Sequence, residues 1–201
     1  MLRWASDERE RWIIEDDYDS EFRYGSRPLR AMQGMDTLGR VVYAGTFSRS
    51  IAPAVRLAYL VLPQRLLERY RALSGYRYST VSRYEQAVMA RFLSQGYYAR
   101  YLRRVGSLYR KRREKLIGAM EQIPGAIISG SGGGIHFLLT NDRHTEEELR
   151  SRALAAGIEL RGLSAYCHRC APAPSTLVMG YGGLSDAAIP GAVERLRKAW
   201  E

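Results

Sequence analysis

The sequence has little lysine, and arginine therefore carries most of its positive charge. Only three of the 31 basic residues are lysines (Lys111, Lys115 and Lys198), and the formal net charge is +10. An arginine bias often reflects codon composition as much as function, and a charge excess alone is weak support for nucleic-acid binding. No helix-turn-helix or other DNA-reading motif can be placed in the chain.

Long apolar runs are also missing. No stretch reaches the roughly 18 apolar residues of a transmembrane helix, so the sequence predicts no membrane span. Residues 1–12 are charged and lack the apolar segment of a secretory signal, which makes the cytoplasm the expected location. With 201 residues, 46% of them hydrophobic, the chain is long enough for one domain or two small ones.

Cysteine is scarce. Cys167 and Cys170 form one Cys-His-Arg-Cys motif, which is typical of a redox pair or of half a zinc site. No second pair exists, His136 and His144 lie well apart in sequence, and the motif falls in a predicted loop. We interpret it as two thiols in a loop and predict no metal.

The most informative stretch is a polar turn between two apolar runs. Val41–Ala44 predicts a buried strand ended by Gly45, and Leu57–Leu62 predicts another ended by Pro63. The turn between them begins Gly-Thr-Phe-Ser-Arg-Ser. Hydroxyls and an arginine at the end of a buried strand suit a phosphate group. A plain loop with a solvated arginine is the alternative.

A second informative stretch is an acidic run after a predicted strand at residues 12–15. Glu15, Asp16, Asp17 and Asp19 are four acids within five residues, a costly arrangement without cations. A metal site is one interpretation, although no histidine or cysteine lies close and hard-cation sites use more widely spread ligands. A solvated acidic loop is another.

Together these stretches resemble one known family. IIEDDYDSEFRY at residues 13–24 and GTFSRSIAPAVRLAYLVLP at residues 45–63 resemble the aminotransferase-like domain of MocR/GabR-type regulators in the GntR family. That domain is a fold-type I, class I/II relative of the pyridoxal phosphate (PLP) aminotransferases. The resemblance covers nearly the whole chain but only the later part of the family's domain.

The resemblance implies an α/β fold, in which a partial large-domain sheet of PLP fold type I precedes a small α+β C-terminal domain. Residues 1–96 are then a remnant of the PLP-binding large domain, 97–122 a linking helix and 123–201 the small domain. The earlier strands, a glycine-containing phosphate loop and the aromatic residue that stacks on the cofactor ring are expected to be missing. A sheet shortened in this way is expected to expose an edge and an apolar face.

The resemblance also assigns residues to the cofactor. Asp16 pairs with the pyridine nitrogen, keeps it protonated and so makes the ring an electron sink. Tyr18 hydrogen-bonds the phenolic oxygen of the ring. Thr46, Ser48 and Arg56 hold the phosphate, and an arginine can bind two phosphate oxygens at once.

Two positions depart from the family pattern. Arg49 occupies the position of the family's Schiff-base lysine, and a guanidinium stays protonated and cannot serve as the amine nucleophile. No lysine lies near a strand end in this half of the chain. Val178 stands where many aminotransferases of this fold carry an arginine for the substrate carboxylate. We therefore expect low or no turnover, with weak non-covalent PLP binding.

The preferred interpretation is the ligand-sensing part of a MocR-type transcriptional regulator, with an amino acid or amine as ligand. The resemblance also implies a homodimer, and DNA binding only through a winged-helix domain absent from this chain. An active PLP-dependent amino-acid transaminase and a non-catalytic interaction fragment are the alternatives.

Periodicity predicts helices over residues 2–11, 63–74 and 97–122, and one with Val81, Tyr84, Val88 and Phe92 on a single face. The long helix at 97–122 carries many arginines with interleaved tyrosines. Such a helix can bind nucleic acid, although a solvated basic face is the preferred interpretation. Further along the chain, a capping box is predicted at Thr145-x-x-Glu148.

Overall fold

The computed structural model describes residues 1–25, 30–75, 79–168 and 175–201. The chain divides into two compact units, the first comprising Met1–Glu21 and Arg27–Leu102 and the second Phe22–Ser26 and Arg103–Glu201. One residue of the predicted loop motif, Cys170, lies outside the described residues. Cys167 is a free thiol.

The first unit is built on a three-stranded sheet with the order β1-β2-β3. Strands β1 and β2 run parallel, and β3 pairs antiparallel with β2. A short 3-10 turn at Pro53–Val55 connects β2 to β3. The elements in chain order are α1 (Leu2–Ser6), β1 (Ile13–Asp17), α2 (Met32–Met35), β2 (Val41–Thr46), β3 (Ala58–Val61), α3 (Gln64–Ser74) and α4 (Arg83–Ser94).

The prediction of a second buried strand is wrong. All four residues of Ala58–Val61 are exposed, and the side chain of Leu60 is 58% exposed. Among the described residues β3 is one of the two edge strands of this sheet, and its side chains are left uncovered, whereas Ile13 of the other edge strand packs in a buried cluster. Val41 on β2, by contrast, is fully buried beside Ile13 and Ala5. An apolar run alone does not reveal which strand of a sheet is covered.

The predicted apolar face of α4 is wrong in part, because Val81 and Phe92 pack against a buried cluster but Tyr84 and Val88 do not. Tyr84 and Val88 are 86% and 69% exposed, while Met89 is buried in a cluster with Phe47 and Leu57. The helix therefore packs against the turn between β2 and β3 through a stripe shifted from the predicted one. At the first helix, α1 ends at Ser6 and is shorter than predicted.

The long helix α5 (Tyr97–Met120) agrees with the predicted one to within two residues at its C-terminal end. It is followed by a four-stranded antiparallel sheet with the order β4-β5-β7-β6. The remaining elements are β4 (Ala126–Ser129), β5 (His136–Asn141), α6 (Glu146–Ala155), β6 (Arg161–Gly162), β7 (Thr176–Gly180) and α7 (Ala188–Trp200).

The second unit has a closed apolar core. Every second residue of β5 is buried, as expected for a strand with one covered face. Phe137 and Leu139 pair with buried residues of β7 and are themselves 0% exposed. Trp200 of α7 donates from its indole nitrogen to the Leu149 carbonyl of α6 at 2.9 Å. The predicted capping box of α6 is confirmed, with both of its hydrogen bonds present.

Among the described helices, none combines the length and the apolar character that crossing a bilayer requires.

Candidate functional site

The two sequence motifs meet at one edge of the first sheet. Because β1 and β2 are parallel, their carboxyl ends lie side by side, with Asp16 opposite Ala44. The polar residues that follow the two strands are therefore neighbours in space. This strand-end position is where open α/β sheets bind ligands.

The turn after β2 is held by backbone and side-chain hydrogen bonds. The Phe47 amide donates to the Leu57 carbonyl at 2.9 Å, and the Thr46 hydroxyl donates to the same carbonyl at 3.3 Å. The Ser48 amide donates back to the Thr46 hydroxyl oxygen at 3.1 Å. Thr46 therefore shapes the turn as well as lining the site.

Arg56 has an unusual backbone conformation. Its φ of 45° places it in the left-handed region, which non-glycine residues adopt at a cost of about 1–3 kcal/mol. It stands directly after the 3-10 turn and before β3. The chain therefore places a bulky arginine in a conformation that favours glycine.

All six residues singled out from the sequence line one cavity of about 410 Å³. The cavity lies within the first unit, and Leu57 and Ala58 complete its wall. The Arg49 guanidinium carbon is 5.8 Å from the centre of the Tyr18 ring, over which it lies. The six predicted residues are Asp16, Tyr18, Thr46, Ser48, Arg49 and Arg56.

The donor set of this cavity fits a phosphate ester. Two guanidiniums and the Ser48 hydroxyl line one volume with a carboxylate and a phenol, and charge-assisted donors of this kind bind phosphate strongly. The set does not fit covalent attachment of an aldehyde cofactor, because no amine side chain lines the cavity. The three lysines lie on α5 and α7.

Two acids of the acidic run accept hydrogen bonds from within the first unit. The Glu15 carboxylate accepts from the Met32 and Gln33 amides at 2.9 and 3.0 Å, so it caps α2. Asp17 accepts from the Tyr43 hydroxyl at 2.6 Å. Burial, followed by this hydrogen bond, raises the pKa of Tyr43. In the described ranges, no group of three or more candidate ligands is placed to hold a metal ion.

A second cavity, of about 640 Å³, was not predicted from the sequence. It also lies in the first unit, and aromatic side chains form much of its wall. Phe47 is 5.3 Å from Tyr59 and 5.6 Å from Tyr98, measured between ring centres. No regular spacing links these positions in the sequence, and only the turn and α5 bring them together.

Glu21 stands at the wall of this second cavity. Its carboxylate accepts a hydrogen bond from the Tyr98 hydroxyl at 3.1 Å, and Ser50, which is 2% exposed, lies 3.0 Å from the same hydroxyl. Partial desolvation raises the pKa of Glu21 above its ordinary value of 4.5. Burial likewise raises the pKa of Tyr98.

The fold is that of the PLP fold-type I aminotransferases. The kynurenine aminotransferase of Pyrococcus horikoshii, solved in complex with PMP, superposes with a TM-score of 0.84 at 24% identity. The match covers 98% of this chain and 49% of that one. The predicted fold class is thereby confirmed.

Curated relatives identify a narrower group. The chain is 37% identical to the uncharacterized HTH-type transcriptional regulator YhdI of Bacillus subtilis (strain 168), with 100% of this chain and 43% of that protein covered. It is 32% identical to the probable rhizopine catabolism regulatory protein MocR of Rhizobium meliloti, with 94% and 39% covered. No family model matches the chain.

The chain spans less than half the length of these relatives. Along that length it resembles the C-terminal, aminotransferase-like domain of MocR-type transcriptional regulators, as its motifs predicted.

Proposed function

We propose that this chain is the ligand-sensing part of a MocR-type transcriptional regulator, with low or no turnover. The observation that carries the proposal is the cavity at the ends of β1 and β2. It joins a phosphate-binding donor set to a carboxylate and a phenol while Arg49 replaces the amine. The ligand class is PLP together with an amino acid or amine.

Each side chain has a definite task in this proposal. Arg56 and Ser48 bind the phosphate, and Thr46 keeps their turn in shape through its bond to the Leu57 carbonyl. Asp16 would accept a hydrogen bond from the protonated pyridine nitrogen, and Tyr18 would donate one to the phenolic oxygen of the ring. When bound, PLP supplies an electron sink to amino-acid chemistry.

Arg49 determines what the site does with the cofactor. A guanidinium stays protonated and cannot attack an aldehyde, so it contributes charge and hydrogen-bond donors rather than a covalent link. The site then holds the cofactor by non-covalent contacts alone. Such a site suits reversible sensing better than repeated turnover, which is why we favour a sensor over an active transaminase.

The remaining features of the proposal follow from the resemblance. We propose a large-domain remnant at residues 1–96, a linking helix at 97–122 and a small domain at 123–201. The regulator is proposed to be a cytoplasmic homodimer whose sequence-specific DNA recognition resides in a winged-helix domain. The exposed apolar strand β3 supports the proposal of an interface, because such edges pair readily with other chains.

The test is an absorbance titration with PLP of this chain and of Arg49→Lys, followed by borohydride reduction and mass spectrometry. We expect the unsubstituted chain to bind PLP reversibly and to show no trapped adduct. Arg49→Lys is expected to acquire one adduct, on the substituted residue, because its ammonium can deprotonate and become a nucleophile.

The matched control is Arg65→Lys, which introduces the same lysine on an exposed position of α3. It should remain unmodified under the same conditions. An adduct on the unsubstituted chain would contradict the assigned role of Arg49. Failure of both Arg49→Lys and the unsubstituted chain to take up PLP would remove the cofactor site itself from the proposal.

A further inference from the structure

The helix α5 carries a continuous basic face within the second unit. Arg103, Arg104, Arg110 and Lys111 are all exposed. At about 100° per residue, these four positions lie within an arc of about 120° around the helix axis. Leu116 and Met120, which are 2% and 1% exposed, lie on the opposite side. The cations therefore share one solvent-facing surface, which we call the α5 basic face.

Other cations of the same helix are committed to the protein. Arg112 pairs with Asp186 at 2.8 Å, and Lys115 donates to the Asp186 carbonyl at 2.7 Å. Arg113 donates to the Ser131 carbonyl at 2.6 Å. Across the described residues, none of the four cations of the α5 basic face forms an ion pair. The helix thus separates structural cations from cations available to a partner.

We propose that the α5 basic face binds the phosphate backbone of double-stranded DNA without sequence preference. The choice of DNA rests on the proposed function, because a transcriptional regulator is held near DNA by its recognition domain. Contacts from α5 then extend the footprint of the regulator beyond its specific site. The binding itself is a property of these four side chains and needs no cofactor.

The dimensions of the face suit a duplex. At about 1.5 Å per residue, positions 103 to 111 extend over about 12 Å of helix. A duplex carries one phosphate charge per about 1.7 Å of axis, or about seven over this length. Four cations can therefore each reach a different phosphate without crowding.

The composition of the face disfavours a membrane surface. Helices that bind membranes place large apolar residues beside their cations, so that the apolar side enters the bilayer. Within its arc the α5 basic face also carries Ser107 and Glu114. The one exposed leucine of the helix, Leu108, lies about 40° outside the arc, and Leu116 on the other side is buried. The arc contains four cations but no large apolar side chain that could enter a bilayer.

The test measures binding of this chain to a short labelled duplex of random sequence by fluorescence anisotropy, in buffer without PLP. Affinities are compared over about 50 to 200 mM salt, where phosphate contacts have their largest effect. The variant combines Arg103→Gln, Arg104→Gln, Arg110→Gln and Lys111→Gln. Each lost phosphate contact should lower the slope of log affinity against log salt by about 0.9, so we expect a fall of about 3 to 4.

The matched control combines Arg65→Gln, Arg69→Gln, Arg71→Gln and Arg83→Gln, all exposed positions of α3 and α4. It removes the same four charges from another surface, and its slope should fall by less than about 1. Circular dichroism of both variants tests whether each still folds.

Three results would overturn the proposal. One is an α5 variant that binds like the unsubstituted chain, and another is a control that loses as much slope, since net charge alone would then explain binding. The third is stronger retention of the unsubstituted chain on vesicles of anionic lipid than on the duplex. Loss of PLP uptake does not affect this measurement, so failure of the proposed function is recognised separately by the Arg49→Lys titration.

Discussion

The two units of the chain cover their sheets to different degrees. In the second unit, β5 buries alternate residues, and Leu139 is 0% exposed. In the first unit, β3 is exposed throughout, with Leu60 at 58%, and Ile14 of β1 is 76% exposed. The two sheets therefore differ in packing although both contain clearly apolar strands.

The better covered sheet and the candidate binding site lie in different units of the chain. The second unit contains the densely buried strands and the indole bond that joins α6 to α7. The first unit contains the cavity at the ends of β1 and β2, the aromatic cavity beside Glu21 and the strained Arg56. A third cavity, of about 410 Å³, lies between α6 and β6 of the second unit, but it holds none of the residues predicted for the cofactor. The candidate binding chemistry thus lies in the unit whose sheet is less completely covered, where side chains can be reached by a ligand.

The largest expected effect comes from matched truncations in the two sheets. Leu139→Ala should lower the free energy of unfolding by about 2 to 5 kcal/mol, because it leaves a cavity in a closed core. Leu60→Ala should change it by about 0.5 kcal/mol or less, as exposed positions do. Urea titration of each variant measures the difference. Equal losses would show that β3 is covered in solution, and the comparison between the units would fail.

A smaller effect is expected at Arg56, where stability and binding should separate. Arg56→Gly removes the cost of a left-handed arginine but adds chain entropy in the unfolded state, so unfolding should change by about 1 kcal/mol or less. Loss of a charged hydrogen bond to phosphate is worth about 1.5 to 3 kcal/mol, or roughly 10- to 100-fold in PLP affinity.

Urea titration and the PLP absorbance titration measure the two effects of Arg56→Gly side by side. Arg65→Gly, on exposed α3, serves as the control that should retain affinity. Unchanged PLP binding by Arg56→Gly would mean that this arginine is structural.

The smallest effect concerns pH. Desolvation raises the pKa of Glu21 in the folded chain, so the folded state binds this proton more tightly than the unfolded state does. Its contribution therefore favours folding below the ordinary pKa and is lost as pH rises through the raised value. We therefore expect the difference in free energy of unfolding, Glu21→Gln minus the unsubstituted chain, to be more favourable to the variant at pH 7 than at pH 4. Urea midpoints at both pH values test the sign, and Glu68→Gln on exposed α3 should show no such trend.

Much of the candidate site could be predicted because its residues lie in two short contiguous motifs. Asp16 and Tyr18 lie at the end of one strand, and Thr46 to Arg56 begin at the end of the next, so parallel pairing alone brings them to one cavity. The second cavity could not be predicted in this way. Its aromatic residues come from separate elements, and their approach depends on tertiary packing that no local spacing encodes.

The errors in the predicted fold have a common physical origin. The exposure of β3 depends on which elements cover the strand, and the residues of the strand itself do not determine this. The face of α4 depends on where Met89 meets Phe47 and Leu57, which are distant in sequence. The capping box of α6, by contrast, is local and was predicted correctly.

The carboxylate that caps α2 also makes that helix a reporter. A helix of four residues cannot persist alone, and Glu15 holds its first amides from a strand 17 residues earlier in the chain. Those amide protons are therefore shielded from solvent exchange only while β1 stays docked beside them. The hydrogen-exchange rates of these amides therefore measure how often the first sheet opens locally. The measurement does not require the core of the second unit to open.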